Sequence, residues 1–133
     1  MQRLALMIFM LLSLCVTSGC ATLADAQAAK GSGTAKVYNK PYDAVWDTTV
    51  NVVKGSGLDL VAEEKDKGTI LAQKGVNMFS YGEEVAIFVE KSNTAPDATR
   101  VEVVSKRAMA TNVFATNWES IIISRLDAQL PAN

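Results

Sequence analysis

The chain has 133 residues, of which 49% are hydrophobic and 20% are charged, and its formal net charge is -1. This length predicts a single domain with a modest core. The near-neutral charge provides no excess of basic residues that would attract a polyanion, so nucleic acid is excluded as an expected partner.

The N-terminal segment has the composition of a targeting signal. Arg3 supplies a positive charge, and residues 4–16 are apolar except for Ser13. A short basic stretch followed by such a run is typical of an export signal. The run is shorter than the roughly 20 residues that a membrane-spanning helix needs. We therefore predict a signal peptide over residues 1–19.

A cysteine directly follows this segment. The sequence Thr17-Ser18-Gly19-Cys20 resembles the lipobox of bacterial lipoproteins, in which small residues precede a cysteine that becomes the acylated N-terminus. The resemblance implies cleavage before Cys20 and anchoring in a lipid bilayer through acyl chains on this residue. An ordinary secretory signal is the alternative.

The residues around this cysteine extend the prediction. Ala21 stands where the family places Asp in lipoproteins retained at the inner membrane. The resemblance therefore implies a lipid-anchored protein at the periplasmic face of the outer membrane, if the source is Gram-negative. The only other cysteine, Cys15, lies in the removed segment, so we expect the mature domain to fold without disulfides.

The acylated Cys and the residues behind it, 20–34, are rich in Ala and Gly and show no apolar periodicity. This composition predicts a flexible tether. A short helix over residues 23–29 is the alternative, because Ala has the highest helix propensity.

A single α+β domain is predicted over residues 35–133, and it starts with a strand and a helix. Residues 35–38 favour a short strand, and Pro41 is typical of a first helical position. Gly55 and Gly57 end the helix. Its buried stripe is predicted from apolar positions that recur with helical spacing: Tyr42, Val45, Trp46, Thr49, Val50 and Val53.

Four further strands are predicted over residues 58–63, 69–74, 83–91 and 99–106. Apolar side chains alternate along the third of these, which indicates one face directed to a core. The connections are short or contain Pro, and this favours an antiparallel meander.

A final helix is predicted to begin with a capping box formed by Thr116 and Glu119 and to end at Pro131. Its apolar stripe consists of Trp118, Ile121, Ile122, Leu126 and Leu130. The fold class is α+β, with the order β-α-β-β-β-β-α and an antiparallel sheet packed by two helices.

This order, together with the segment 41–46 and the long last helix, resembles the helix-grip domains of BamC-like lipoproteins from the outer-membrane β-barrel assembly machinery. The resemblance covers roughly residues 35–130. It implies a role in outer-membrane assembly or maintenance.

The residues that carry enzyme chemistry are sparse. The chain has no His, which is the commonest general base and metal ligand. Ser105 and Lys106 are neighbours in a strand, so their side chains point to opposite faces. Carboxylates cluster at one turn and at one strand start, where they could hold a hard cation weakly but are expected to be solvated: Glu63, Glu64, Asp66, Glu83 and Glu84. We predict no catalytic residue, no metal site and no cofactor, and hence no enzyme.

Two connections are unusually apolar for loops. If the strands alternate in direction, residues 75–82 and 107–115 emerge at the same end of the sheet, where the first strand also starts. Apolar side chains in exposed segments are typical of a contact surface, although they also cap cores. The predicted partner-binding residues are Met78, Phe79, Tyr81, Met109, Val113 and Phe114.

These patterns lead to one main functional hypothesis and one alternative. The main hypothesis is a membrane-anchored envelope lipoprotein with a non-enzymatic domain that binds a protein partner. The alternative is a carrier or sensor that holds an apolar small molecule between the last helix and the sheet.

Overall fold

A five-stranded antiparallel sheet organises the chain in the computed structural model, which describes residues 22–78, 82–109, 111, 113 and 115–131. The predicted signal peptide and Cys20 lie outside the described residues. In chain order the elements are α1 (Leu23–Ala28), β1 (Thr34–Tyr38), α2 (Tyr42–Gly55), β2 (Asp59–Glu64), a 3-10 turn (Lys65–Lys67), β3 (Thr69–Lys74), β4 (Glu83–Lys91), β5 (Thr99–Arg107) and α3 (Trp118–Gln129).

The strand order in the sheet is β1-β5-β4-β3-β2, and every neighbouring pair is antiparallel. Strands β2 to β5 form the predicted meander. Strand β1 pairs with β5 because α2 carries the chain across one face before β2 begins. The α+β class is confirmed, with three helices rather than two.

Helices α2 and α3 cover one face of the sheet, which we call the front face. Trp46 of α2 is 2% exposed, and Ile122 and Leu126 of α3 are completely buried. They share one core with Ile87 and Val103 of the central strands. The predicted stripes of both helices face this core, although Tyr42 and Ile121 are only partly buried. Burial of these apolar side chains is the main force that holds the layers together.

The two helix starts differ from the sequence prediction by one residue. Pro41 is the N-cap of α2, so its fixed φ precedes the helix and does not belong to its first turn. At α3 the N-cap is Asn117, whose side chain accepts the N–H of Ser120 at 3.1 Å. The predicted capping box is therefore wrong. Glu119 accepts hydrogen bonds from the strand residues Thr34 and Ser105 and not from the backbone of Thr116.

The segment predicted as a flexible tether contains helix α1, which was the alternative. Thr22 and Asp25 form its capping box. Ala26 is completely buried on the back face of the sheet, where it joins Ala86, Phe88 and Val104 in a second apolar cluster. This burial is the physical reason for the difference, because a six-residue helix has little stability unless it packs against something.

Candidate functional site

The two apolar connections leave the sheet at the same end, as predicted. Glu83 at the start of β4 lies opposite both Lys74 of β3 and Arg107 of β5. The β3–β4 connection therefore ends beside the start of the segment between β5 and α3. We call their described residues the loop end: 75–78, 82, 108, 109, 111, 113 and 115–117.

The loop end exposes large apolar side chains. Met78 is 93% exposed and Val113 is 74% exposed, while Met109 at 42% is partly covered. None of these three side chains is buried in the core. The other predicted partner-binding residues, Phe79, Tyr81 and Phe114, lie outside the described residues.

Val76 belongs to the same surface and was missed by the sequence prediction. It is 75% exposed. The signal was present, because Val76 follows Gly75 in the same loop. An apolar side chain behind a strand end is unexpected in a segment that is simply solvated.

Hydrogen bonds fix the base of the loop end to the sheet. The N–H of Ala108 donates to the carbonyl of Gly82 at 3.0 Å, which links the two connections. The N–H of Thr116 donates to Oε1 of Glu83 at 3.2 Å. Glu83 is 1% exposed, so the expectation that it is solvated is wrong. It acts as a buried acceptor that ties the second connection to β4.

Basic side chains flank the loop end. Arg107 is exposed at the end of β5, and Lys74 donates from its ammonium to the carbonyl of Gly57 at 2.7 Å. On the back face, Lys106 lies opposite Glu84 in the β4–β5 register. Burial raises the pKa of Glu84 above its usual range. Glu84 is thus a weaker acid than an exposed glutamate.

Helix α1 runs along the back of β4 with its N-terminus toward the loop end. Ala26 belongs to the cluster that contains the register pair Ala86 and Val104. Farther along, Lys30 forms an ion pair with Glu90, and its ammonium lies 5.2 Å from the ring centroid of Phe88. Helix α1 therefore runs in the same direction as β4, with its first residues toward the loop end and its last residues toward the opposite end of the sheet.

The electrostatics of the first turn of α1 agree with this direction. Hydrogen bonds from the backbone and side chain of Thr22 lower the pKa of Asp25, and the Lys106 ammonium contributes to the same shift. Lys106 is the residue just before the end of β5. Thr22, only two residues after Cys20, consequently lies on the side of the loop end.

The opposite end of the sheet holds two neighbouring clefts of about 470 and 380 Å³ that share Tyr42, Asp43 and Lys91. The Tyr42 hydroxyl donates to the carbonyl of Lys65 at 2.7 Å, and burial raises the pKa of Tyr42. A hydrogen bond to Asp43 raises the pKa of Lys65. These polar groups satisfy one another, and we assign no chemistry to them.

The interior between α3 and the sheet is filled by side chains at Ile122 and Leu126. A cleft of about 160 Å³ touches α3 only in its last turn, at Asp127, and is also lined by Leu130 and Pro131 behind the helix. Pockets that hold small molecules usually measure about 300 Å³ or more. This cleft is smaller than the predicted carrier alternative requires.

Within the described part of the chain, no group of three or more Asp, Glu, His or Cys residues converges as a metal site. The same residues include no helix that is both long enough and apolar enough to cross a bilayer. Comparison with protein-family models gives no match, and comparison with curated proteins finds no similar sequence.

Proposed function

We propose that this chain is a membrane-anchored envelope lipoprotein whose domain binds a protein partner and performs no catalysis. The signal peptide of residues 1–19 is removed, and acylated Cys20 holds the domain on the bilayer. Ala21 after the acylated cysteine supports a place at the periplasmic face of the outer membrane in a Gram-negative source, and the resemblance to BamC-like helix-grip domains supports a role in outer-membrane assembly or maintenance.

The observation that carries this proposal is the exposure of Met78, Met109 and Val113 at the end of the sheet toward which the N-terminus of α1 is directed. Exposed apolar side chains that cluster in this way are typical of interaction surfaces. A few Met and aromatic side chains supply much of the binding energy at such surfaces. Phe79, Tyr81 and Phe114 belong to the same proposed contact set by their positions in the sequence.

The carrier or sensor is the weaker candidate. It requires a cavity between α3 and the sheet, but Ile122 and Leu126 fill that space. An apolar ligand there would have to displace core side chains, which are close-packed in proteins.

The test is chemical crosslinking in intact cells followed by mass spectrometry. We expect one envelope protein to be crosslinked reproducibly to the lipoprotein. Cys15→Ser is the matched control, because this cysteine lies in the signal peptide and its loss leaves the anchor intact. Cys20→Ser is expected to stay unprocessed or to become soluble, and to lose the crosslink. Absence of any specific protein crosslink from the wild type would contradict partner binding.

A further inference from the structure

The connection between the proposed anchor and the sheet is short. Helix α1 is docked through Ala26, which is completely buried against the back face. Lys30 adds an ion pair with Glu90 of β4. Only Ala21 separates Cys20 from the capping residue Thr22. At about 3.6 Å per extended residue, two residues of chain span at most about 8 Å.

A buried carboxylate prevents this connection from lengthening. Oε1 of Glu102 accepts the N–H of Gly31 at 2.6 Å and the N–H of Gly33 at 3.1 Å, and the guanidinium of Arg100 donates to Oε2 at 2.9 Å. Glu102 is 1% exposed. We call this set of contacts the Glu102 clamp. Because a buried carboxylate that loses its hydrogen bonds is costly and charge-assisted hydrogen bonds are strong, the clamp keeps the residues behind α1 on the sheet.

Gly33 brings the backbone of this segment into close contact with β5. A Cβ atom added at Gly33 would lie 2.1 Å from the carbonyl oxygen of Val103. The segment therefore adjoins the strand and is not a spacer. The reach of the domain from the membrane is set by the residues before Thr22, and not by the whole stretch of residues 20–34.

The direction of α1 decides which surface this short connection brings to the membrane. Lys30 lies near Phe88 and Glu90, whereas Ala26, one helical turn earlier, belongs to the cluster with Ala86, which is nearer the loop end. An acyl anchor two residues before Thr22, as in the proposed function, would bring the side of the loop end to the bilayer. That end exposes Val76, Met78, Met109 and Val113 and is flanked by Arg107.

We propose that the loop end lies on the bilayer, with its exposed apolar side chains at the boundary between headgroups and acyl chains. This inference rests on the acylation of Cys20 in the proposed function. Apolar side chains flanked by basic ones fit the surface of an anionic membrane, where the former enter the interface and the latter meet lipid phosphates. The partner of the proposed function is then a protein that meets the same side chains at the membrane surface.

Fluorescence quenching from within the membrane tests this orientation in the full-length protein. Single cysteines are introduced as Met78→Cys and Met109→Cys at the loop end. Thr94→Cys at the opposite end and Val61→Cys on the edge strand are the controls, since both positions are exposed. Neither native cysteine offers a free thiol after processing and acylation. Each purified lipoprotein is labelled with a fluorophore and placed in phosphatidylethanolamine–phosphatidylglycerol vesicles that contain a nitroxide lipid.

We expect quenching at positions 78 and 109 to exceed quenching at positions 94 and 61 several-fold. Equal quenching at all four positions, in protein that stays on the vesicles, would overturn the orientation alone. A label at position 78 that is shielded from both nitroxide and aqueous iodide, in membranes isolated from the cells, would place a protein between the loop end and the bilayer and also overturn it. Loss of vesicle association by all variants would contradict the acylation and the orientation together.

Discussion

Glu102 accepts the backbone N–H of Gly31 at 2.6 Å from a position that is 1% exposed. Burial disfavours the charged form of this carboxyl group, but hydrogen bonds from Gly33, Arg100 and Gly31 outweigh the burial. They hold the pKa of Glu102 below its usual range. A segment that composition predicts to be a tether is thereby fixed to the sheet by one side chain.

The Glu102 clamp makes the stability of the domain pH-dependent. Because the pKa of Glu102 is lower in the folded state than in the unfolded state, its contribution is present above the unfolded value of about 4.3. It is lost as the pH falls through the folded pKa. Denaturant melts at several pH values between 7 and 3 are expected to show a smaller acid loss for Glu102→Gln than for the wild type. Identical pH profiles would contradict the clamp.

Gly33→Ala is expected to lower the free energy of unfolding by about 1–3 kcal/mol, the usual cost of forcing an extra group into a packed site. The added Cβ would overlap the carbonyl of Val103. Gly55→Ala is the matched control, since its Cβ meets nothing within 4 Å at the end of α2. That change is expected to be neutral or stabilising by up to about 1 kcal/mol. Thermal melts compare the two, and equal effects would mean that Gly33 does not adjoin β5.

Truncation of either tryptophan to Ala is expected to cost about 3–5 kcal/mol, because each is buried between its helix and the sheet. Trp46 is 2% and Trp118 6% exposed. Val61→Ala, on the edge strand at 49% exposure, is expected to change stability by about 0.5 kcal/mol or less. Urea melts measure all three variants. Losses below about 1 kcal/mol at both tryptophans would contradict the packing of α2 and α3.

The sheet and the front face follow from the sequence pattern. Alternating Val85, Ile87 and Val89 identify β4 and its core face, and the bounds of β3 and β4 match the prediction at both ends. The two helical stripes are strong because large apolar residues recur at helical spacing. Strand and helix periodicities are local signals, so one sequence suffices to detect them.

The back face and the Glu102 clamp were not predicted, because they depend on contacts between distant residues. One signal for the back face was available: residues 85–89 are apolar without interruption, and such a run indicates a strand covered on both faces. Glu102, by contrast, lies between Val101 and Val103, and this pattern looks like the usual alternation of apolar and solvent-facing residues in a strand. Only the approach of Gly31 and Gly33 turns it into a buried acceptor.

The start of α3 shows a similar competition between local and distant contacts. Thr116 and Asn117 are both good capping residues. Glu119 accepts the N–H of Thr34 at 3.1 Å and the N–H of Ser105 at 3.1 Å, so it joins β1 to β5 and is not available for a capping box. Asn117 is therefore the N-cap of α3. Met78 and Val113 were predicted as contact residues, but their exposure could not be predicted from the sequence alone.

The proposed lipid anchor is tested most directly by intact-mass spectrometry of the mature protein extracted from cell membranes. The mature chain is predicted to begin at Cys20 and to carry a thioether-linked diacylglyceryl group, and Cys15→Ser is predicted to give the same product. A mature chain that begins elsewhere, or one that carries a free thiol at Cys20, would contradict the lipoprotein assignment.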